Sequence, residues 1–477
     1  MRPRAVSPRL HALVRAAVLP LLAAALASAA LAQQIPPTRE FGPEPWKGAL
    51  SLIKDNIRKN YYDPNFHGID LDAHFKKAEE KMKQAESYGQ FYGIVAQALL
   101  DFDDPHLYFL PPHRAARYNY GWRTQMVGDR CFVTAVRPGS DAEAKGLKPG
   151  DEVVSLDGYQ PTRQNYWKMQ YAYIFLRPAP GVRLVVAGPD GKERQLDVMT
   201  EVTQHKRAVG SGGSSPRSEV AVSNRPGGSI NVPHQGYYGT DLGDYVQELE
   251  DEERERCGAG GSMSFGDDRV MLWKFGESAR ADRKIDAVMA EARKHKALVI
   301  DLRSNGCAAE HALLRVLANL FDRDVTVGEV KGRRESKPLT AKTRGGQNVY
   351  RGDLIVLVDS GSASASELFA RAVQLEKRGT VMGDRTAGTV MRSRRHQQQS
   401  GMPVIVSYRV NVTDADIIMK DGKSLKHVGV KPDIVLLPKA ADLAAGRDPV
   451  LSQAITLLGF PLDPEKAGAL SPTKWKK

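Results

Sequence analysis

The sequence predicts an α/β fold in its C-terminal half, preceded by a helical segment and a small β-rich module. Two strand–helix pairs carry the α/β reading. The continuous apolar run "ALVIDLR" (297–303) leads into the helical pattern "AAEHALLRVLANLF" (308–321), and "DLIVLVD" (353–359) leads into "SELFARAVQLEKRG" (366–379). Apolar runs this short and unbroken suit strands covered on both faces, and the alternation suits a sheet wrapped by helices. In such folds the chemistry is expected on the loops that leave the strands.

Each segment has its own signature. Arg2, Arg4, Arg9 and Arg15 flank or interrupt an apolar stretch that closes in Ala30-Leu31-Ala32, which reads as an export signal over 1–32. Residues 40–117 form the expected N-terminal helical domain: Leu50, Ile53 and Ile57 recur at helical spacing, as do Phe91, Ile94, Val95, Ala98 and Leu99. It ends in the acid- and proline-rich loop "DFDDPHLYFLPP" (101–112). In "FVTAVRPGSDAEAKGLKPGDEVVSLDG" (132–158), Ser140 and Glu143 have capping-box spacing, Gly146 stops the helix, Pro149-Gly150 turns the chain and Val153 to Leu156 resumes a strand. That order resembles a PDZ domain over 118–202, which implies binding of extended or C-terminal peptides by strand addition. Residues 203–266, rich in glycine, serine and charge, read as a flexible insertion. The core is expected over 267–460 and a C-terminal tail over 461–477.

Composition narrows the function classes. The formal charge of +12 over 477 residues falls to +8 once the four signal arginines are removed. Basic clusters at 331–334 and 392–395 come with no zinc-finger, helix-turn-helix or aromatic-plus-basic pattern, so no nucleic-acid partner is expected. Cys131, Cys257 and Cys307 stand far apart without a partner at ligand spacing, so neither a metal nor any other cofactor is expected. After the signal, no segment approaches the length of a stable membrane span.

The candidate nucleophile lies in "DSGSASASELFARA" (359–372), where four serines crowd between a buried strand and a helix. A serine at such a break presents its hydroxyl above the sheet edge while backbone N–H groups point toward it. Packing and helix capping are the competing readings.

Taken in order, the helical segment, the PDZ-like module, "DLRSNG", "DSGSASASE", "GDRTAG" and "VGVKPD" resemble the tail-specific, or C-terminal-processing, serine peptidases. The resemblance implies a core like that of crotonases and Clp protease. It implies that Ser364 is the nucleophile and that the backbone N–H groups of Ala365 and of Cys307 or Ala308 form the oxyanion site. The commonest branch places a lysine base 25 residues after the serine, where this chain has Thr389. The closer match is a tricorn-core-like branch lacking that lysine, in which His106 is the base; Asp101, Asp103 and Asp104 stand near it to raise its basicity or orient its ring. That branch carries a glutamate where this chain has Lys426, so either Asp414 or Asp416 supplies the charge or Lys426 is itself an alternative base. The expectation is an exported serine endopeptidase, periplasmic or extracellular, acting on extended or unfolded polypeptides. The alternative is a catalytically impaired peptide-binding scaffold of the same fold.

Overall fold

The computed structural model describes residues 44–112, 116–204, 260–266, 268–276, 282–306, 308–400 and 406–470. The expected export signal, most of the expected insertion, Cys257 and Cys307 lie outside the described residues.

Three helices come first: α1 (Glu44–Asn60), α2 (Leu71–Met82) and α3 (Tyr88–Leu100). Asp70 and Ser87 start the second and third by accepting the N–H of Ala73 and Gln90. Leu50, Ile53 and Ile57 form one buried stripe of α1, packed with Phe75, Phe91, Val95 and Leu99.

Strands β1 (Tyr108–Leu110) and β2 (Ala116–Asn119) lead into a five-stranded antiparallel sheet, β3 (Trp122–Val127), β4 (Arg130–Val136), β5 (Glu152–Leu156), β6 (Gly181–Ala187) and β7 (Glu193–Met199). With the short helices α4 (Asp141–Ala144) and α5 (Tyr166–Tyr171), this sheet encloses its own core of Val133, Ala142, Leu147, Leu184 and Val186. Strand β8 (Glu201–Gln204) pairs with β2. Gly150 shows why the turn needs glycine: φ is +88° and a Cβ would lie 2.5 Å from the Ala440 carbonyl oxygen.

The C-terminal half builds a six-stranded sheet in the order β18 (Ile434–Val435), β15 (Thr380–Gly383), β14 (Asp353–Val358), β11 (Ala297–Asp301), β10 (Val270–Lys274), β9 (Gly261–Phe265). All neighbours are parallel except β9 with β10. Helices α6 (Asp282–Ala292), α7 (Glu310–Ala318) and α8 (Ala365–Leu375) cover one face. The other face is covered by α10 (Pro449–Leu457) and α11 (Pro464–Leu470), which follow α9 (Ala440–Ala445). Strand β14 shows the two-sided burial directly: Leu354, Val356 and Val358 enter one apolar cluster, Ile355 and Leu357 the other.

Two boundaries differ from the sequence reading. Strand β9 lies within the segment assigned to the insertion; its small, exposed residues carry almost no periodic signal. Residues 464–470, assigned to a tail, are helical and bury Ala467.

A second sheet joins the layers, in the order β1, β17 (Val406–Met419), β12 (Val325–Gly332), β13 (Ser336–Ala341), with β16 (Met391–Ser400) on the free side of β17. The β16–β17 register shifts at Arg392/Ser393, leaving Asp414 as the extra residue. That bulge changes the parity of β17, so Tyr408, Val410 and Val412 pack on the N-terminal helices while Ala415, Ile417 and Met419 continue on the same face into the α/β core.

Candidate active site

The site is built around the turn between β14 and α8. Ser364 immediately precedes the helix and has φ 56° and ψ −118°, a conformation outside the left-handed helical region and costing on the order of 1–3 kcal/mol for a residue with a Cβ. The surrounding bonds hold it there. Ala363 donates its N–H to the Asn305 carbonyl at 3.1 Å, and Ser366 Oγ donates to the same oxygen at 2.9 Å. Ser362 Oγ donates to the Leu302 carbonyl at 2.8 Å, and Ser360 Oγ to that of Met126. Of the four serines, Ser364 alone does not spend its hydroxyl on a backbone carbonyl.

Glu367, one turn into α8, is fully buried. Its carboxylate accepts the Ser364 N–H at 3.0 Å, Thr386 Oγ1 at 2.6 Å, the Gly388 N–H at 2.7 Å and the Thr389 N–H at 2.9 Å. Burial pushes the carboxyl upward and these donors oppose it. Thr386 Oγ1 in turn accepts the Val430 N–H at 2.6 Å. The glutamate therefore clamps the serine turn to both "GDRTAG" and "VGVKPD". The same burial explains why a residue three positions from the nucleophile is a carboxylate rather than a surface polar group.

The oxyanion donors divide. The Ala365 N–H, first in α8, has no backbone acceptor among the described residues. The Ala308 N–H donates to Asn305 Oδ1 at 3.0 Å, so it is already spent, contrary to the sequence expectation. The expectation for Cys307 lies outside the described residues. The loop itself is braced by Arg303, which pairs with Asp301 and Asp448, both at 2.8 Å.

His106 lies between α3 and β1, and with Ala363 and Thr389 it lines one cleft of about 2330 Å³. Its backbone is held on both sides: its N–H donates to Asp104 Oδ1 at 2.9 Å, and its carbonyl accepts from Asn411 Nδ2 at 2.6 Å. The ring is held less firmly. Nδ1 is buried without a hydrogen-bond partner, and no bond joins the ring to Ser364 among the described residues. Burial lowers the imidazole below its ordinary range; Asp104 acts to raise it and Lys426 to lower it further. Strand β3 closes the cleft from above: Gln125 Nε2 donates to Asp359 Oδ2 at 2.6 Å, and the Gly128 N–H donates to Asp384 Oδ2 at 2.8 Å. Arg163 Nη2 donates to the same Asp384 oxygen at 2.6 Å.

Comparison with known proteins decides the family. Residues 269–436 match the model of peptidase family S41. The chain belongs to the S41 tail-specific serine peptidases. It is 24% identical over 427 residues to a tricorn protease homolog of Streptomyces coelicolor, covering 86% of this chain and 32% of that protein. It is 23% identical over 406 residues to the chloroplastic C-terminal processing peptidase of Tetradesmus obliquus, covering 80% and 75% respectively. The chain thus spans about a third of the first relative and three quarters of the second. Among solved structures, mature CPAF superposes with a TM-score of 0.57 at 14% identity, covering 83% of this chain and 93% of that one.

Within this S41 framework, Thr389 takes the place of the lysine and ties to Glu367 through its N–H. Lys426 does not line the Ser364 cleft. It lines a second cavity of about 530 Å³ with Tyr62, His67, Asp103, Asp416 and His427. There its Nζ is 3.3 Å from His67 Nε2 and 3.4 Å from the Tyr62 hydroxyl. The proposed substitute acids are also engaged elsewhere: Asp414 pairs with Arg392 and Arg394, and Asp416 accepts from Ser424 Oγ. Sequence reasoning missed the contributions of Asn305 and Asn411. Each acts through a contact between distant segments that no local pattern marks.

Proposed function

We propose that the protein is an exported serine endopeptidase that hydrolyses extended or unfolded polypeptide by acyl transfer. The observation that carries this reading is Ser364, held at positive φ at a strand-to-helix turn with its hydroxyl left uncommitted, beside a cleft lined by His106. Ser364 Oγ attacks the scissile carbonyl as His106 takes its proton. The Ala365 N–H stabilises the developing oxyanion, and the imidazolium then protonates the leaving amine. Water repeats the sequence to release the acyl group.

The β3–β7 module is read as a PDZ domain that presents the polypeptide. Its edge strand β3 adjoins the serine turn, and its outward carbonyls at Thr124, Met126 and Gly128 already accept from Tyr166, Ser360 and Arg163. A peptide adding to that edge must therefore displace side-chain donors. The arginine-flanked apolar segment at 1–32 supports export to the periplasm or beyond. Among the described residues no helix is long and apolar enough to cross a membrane.

A second reading, a peptide-binding scaffold without catalysis, is favoured by the unpartnered His106 Nδ1 and the spent Ala308 N–H. A fluorophosphonate probe separates the two. The enzyme reading expects labelling and hydrolysis of an unfolded protein substrate, both lost in Ser364→Ala. Absence of both in the parent, with peptide binding retained, would establish the scaffold.

A further inference from the structure

The His106 ring lacks an acid at Nδ1, yet a buried carboxylate stands two residues before it. Asp104 is 0% exposed. One of its oxygens takes the His106 N–H and the other takes the Tyr61 hydroxyl at 2.9 Å. Tyr61 is also buried, and its hydroxyl lies 3.5 Å from His67 Nε2. His67 Nδ1 is 2.9 Å from the Phe102 carbonyl, which can only accept, so Nδ1 carries the proton and Nε2 is left as an acceptor. That Nε2 receives the Tyr62 hydroxyl at 2.8 Å and Lys426 Nζ at 3.3 Å. A continuous polar chain thus runs from Lys426 in the second cavity, through His67, Tyr61 and Asp104, to the loop that bears His106.

We propose that Asp104 and Lys426 are paired positioning residues of opposite charge: Asp104 clamps the His106 loop and stabilises the imidazolium, while Lys426, set behind it, limits that stabilisation. This rests on His106 being the base. The missing acid is replaced by a field from beneath the ring rather than by a bond to Nδ1. Little water separates Asp104 from the imidazole, so the field is weakly screened. The other charged groups nearby are accounted for. Asp103 pairs with Lys168 at 2.7 Å and lies 4.0 Å from His427 Nε2, while Arg395 and Arg409 line the cleft from β16 and β17. The sign of each contribution to His106 agrees, Asp104 raising its proton affinity and Lys426 lowering it.

The test is a histidine NMR titration of the full chain, combined with the pH dependence of kcat/KM. Asp104→Asn keeps the shape and removes the charge; it should move the His106 midpoint and the acid limb of activity down by about one pH unit. Lys426→Met should move both up by a similar amount, and it carries the test alone if Asp104→Asn fails to fold. Unchanged midpoints, or shifts of the same sign in both variants, overturn the proposal. So does an activity limb well above neutrality that Lys426→Met abolishes, since that would make Lys426 the base. The titration needs no turnover, so the two readings fail separately. Opposite shifts without serine labelling would keep the pair and discard the peptidase. Labelling and Ser364-dependent hydrolysis with an unmoved His106 would do the reverse.

Discussion

Ser364 and His106 face the same cleft but are held in different ways. Around the serine, backbone and side chain are both fixed: Asn305, Ser362 and Ser366 bind the turn, and Glu367 joins it to two further segments. Around the histidine, the backbone is clamped by Asp104 and Asn411 while the ring finds no partner for Nδ1. A strained turn persists only when its surroundings over-determine it, whereas a base must change protonation state and shift by fractions of an ångström during turnover. The serine half stores conformational strain, and the histidine half keeps freedom.

The comparison makes graded predictions. Ser364→Gly should remove all hydrolysis and probe labelling yet raise stability by about 1 kcal/mol, because glycine adopts φ 56° without strain. Denaturant unfolding beside an activity assay checks both signs. Glu367→Ala should be the most damaging change to the fold, costing on the order of 3 kcal/mol by leaving four buried donors unpaired, with labelling of Ser364 lost alongside. His106→Ala should reduce kcat about a hundredfold, the usual scale for a positioned base, while leaving the melting temperature nearly unchanged. Asn411→Leu, which frees the His106 carbonyl, should cost about 1–2 kcal/mol and lower kcat roughly tenfold. Thr389→Ala should alter activity less than about twofold, since the bond to Glu367 runs through its backbone N–H.

The unequal legibility of the two halves has the same origin. The serine turn is local: an apolar strand, small residues and an amphipathic helix follow each other in the chain, so β14 and α8 fall within a residue or two of where periodicity puts them, apart from the helix's C-terminal end. The resemblance then singled out one serine of the four. The base half depends on contacts across hundreds of residues. That Asn411 holds the His106 loop, or that Lys426 turns to His67 rather than toward Ser364, is decided by how the N-terminal helices dock on β17. The Ala308 N–H was misjudged for a smaller reason: Asn305 forms a local turn with it, an alternative use of the backbone that asparagine commonly offers.

The Asp414 bulge has a consequence for how the chain tolerates insertions and deletions. Strand β17 serves two apolar clusters with a single unpaired residue between them. Removing Asp414 would restore an unbroken ladder with β16, but would turn either Tyr408, Val410 and Val412 or Ala415, Ile417 and Met419 to the opposite face. A one-residue deletion there is thus a topological change rather than a local one. Loss or gain of residues should be accepted readily in the loop before β17 and rejected within it, which makes this strand the segment where the reading of length is strictest.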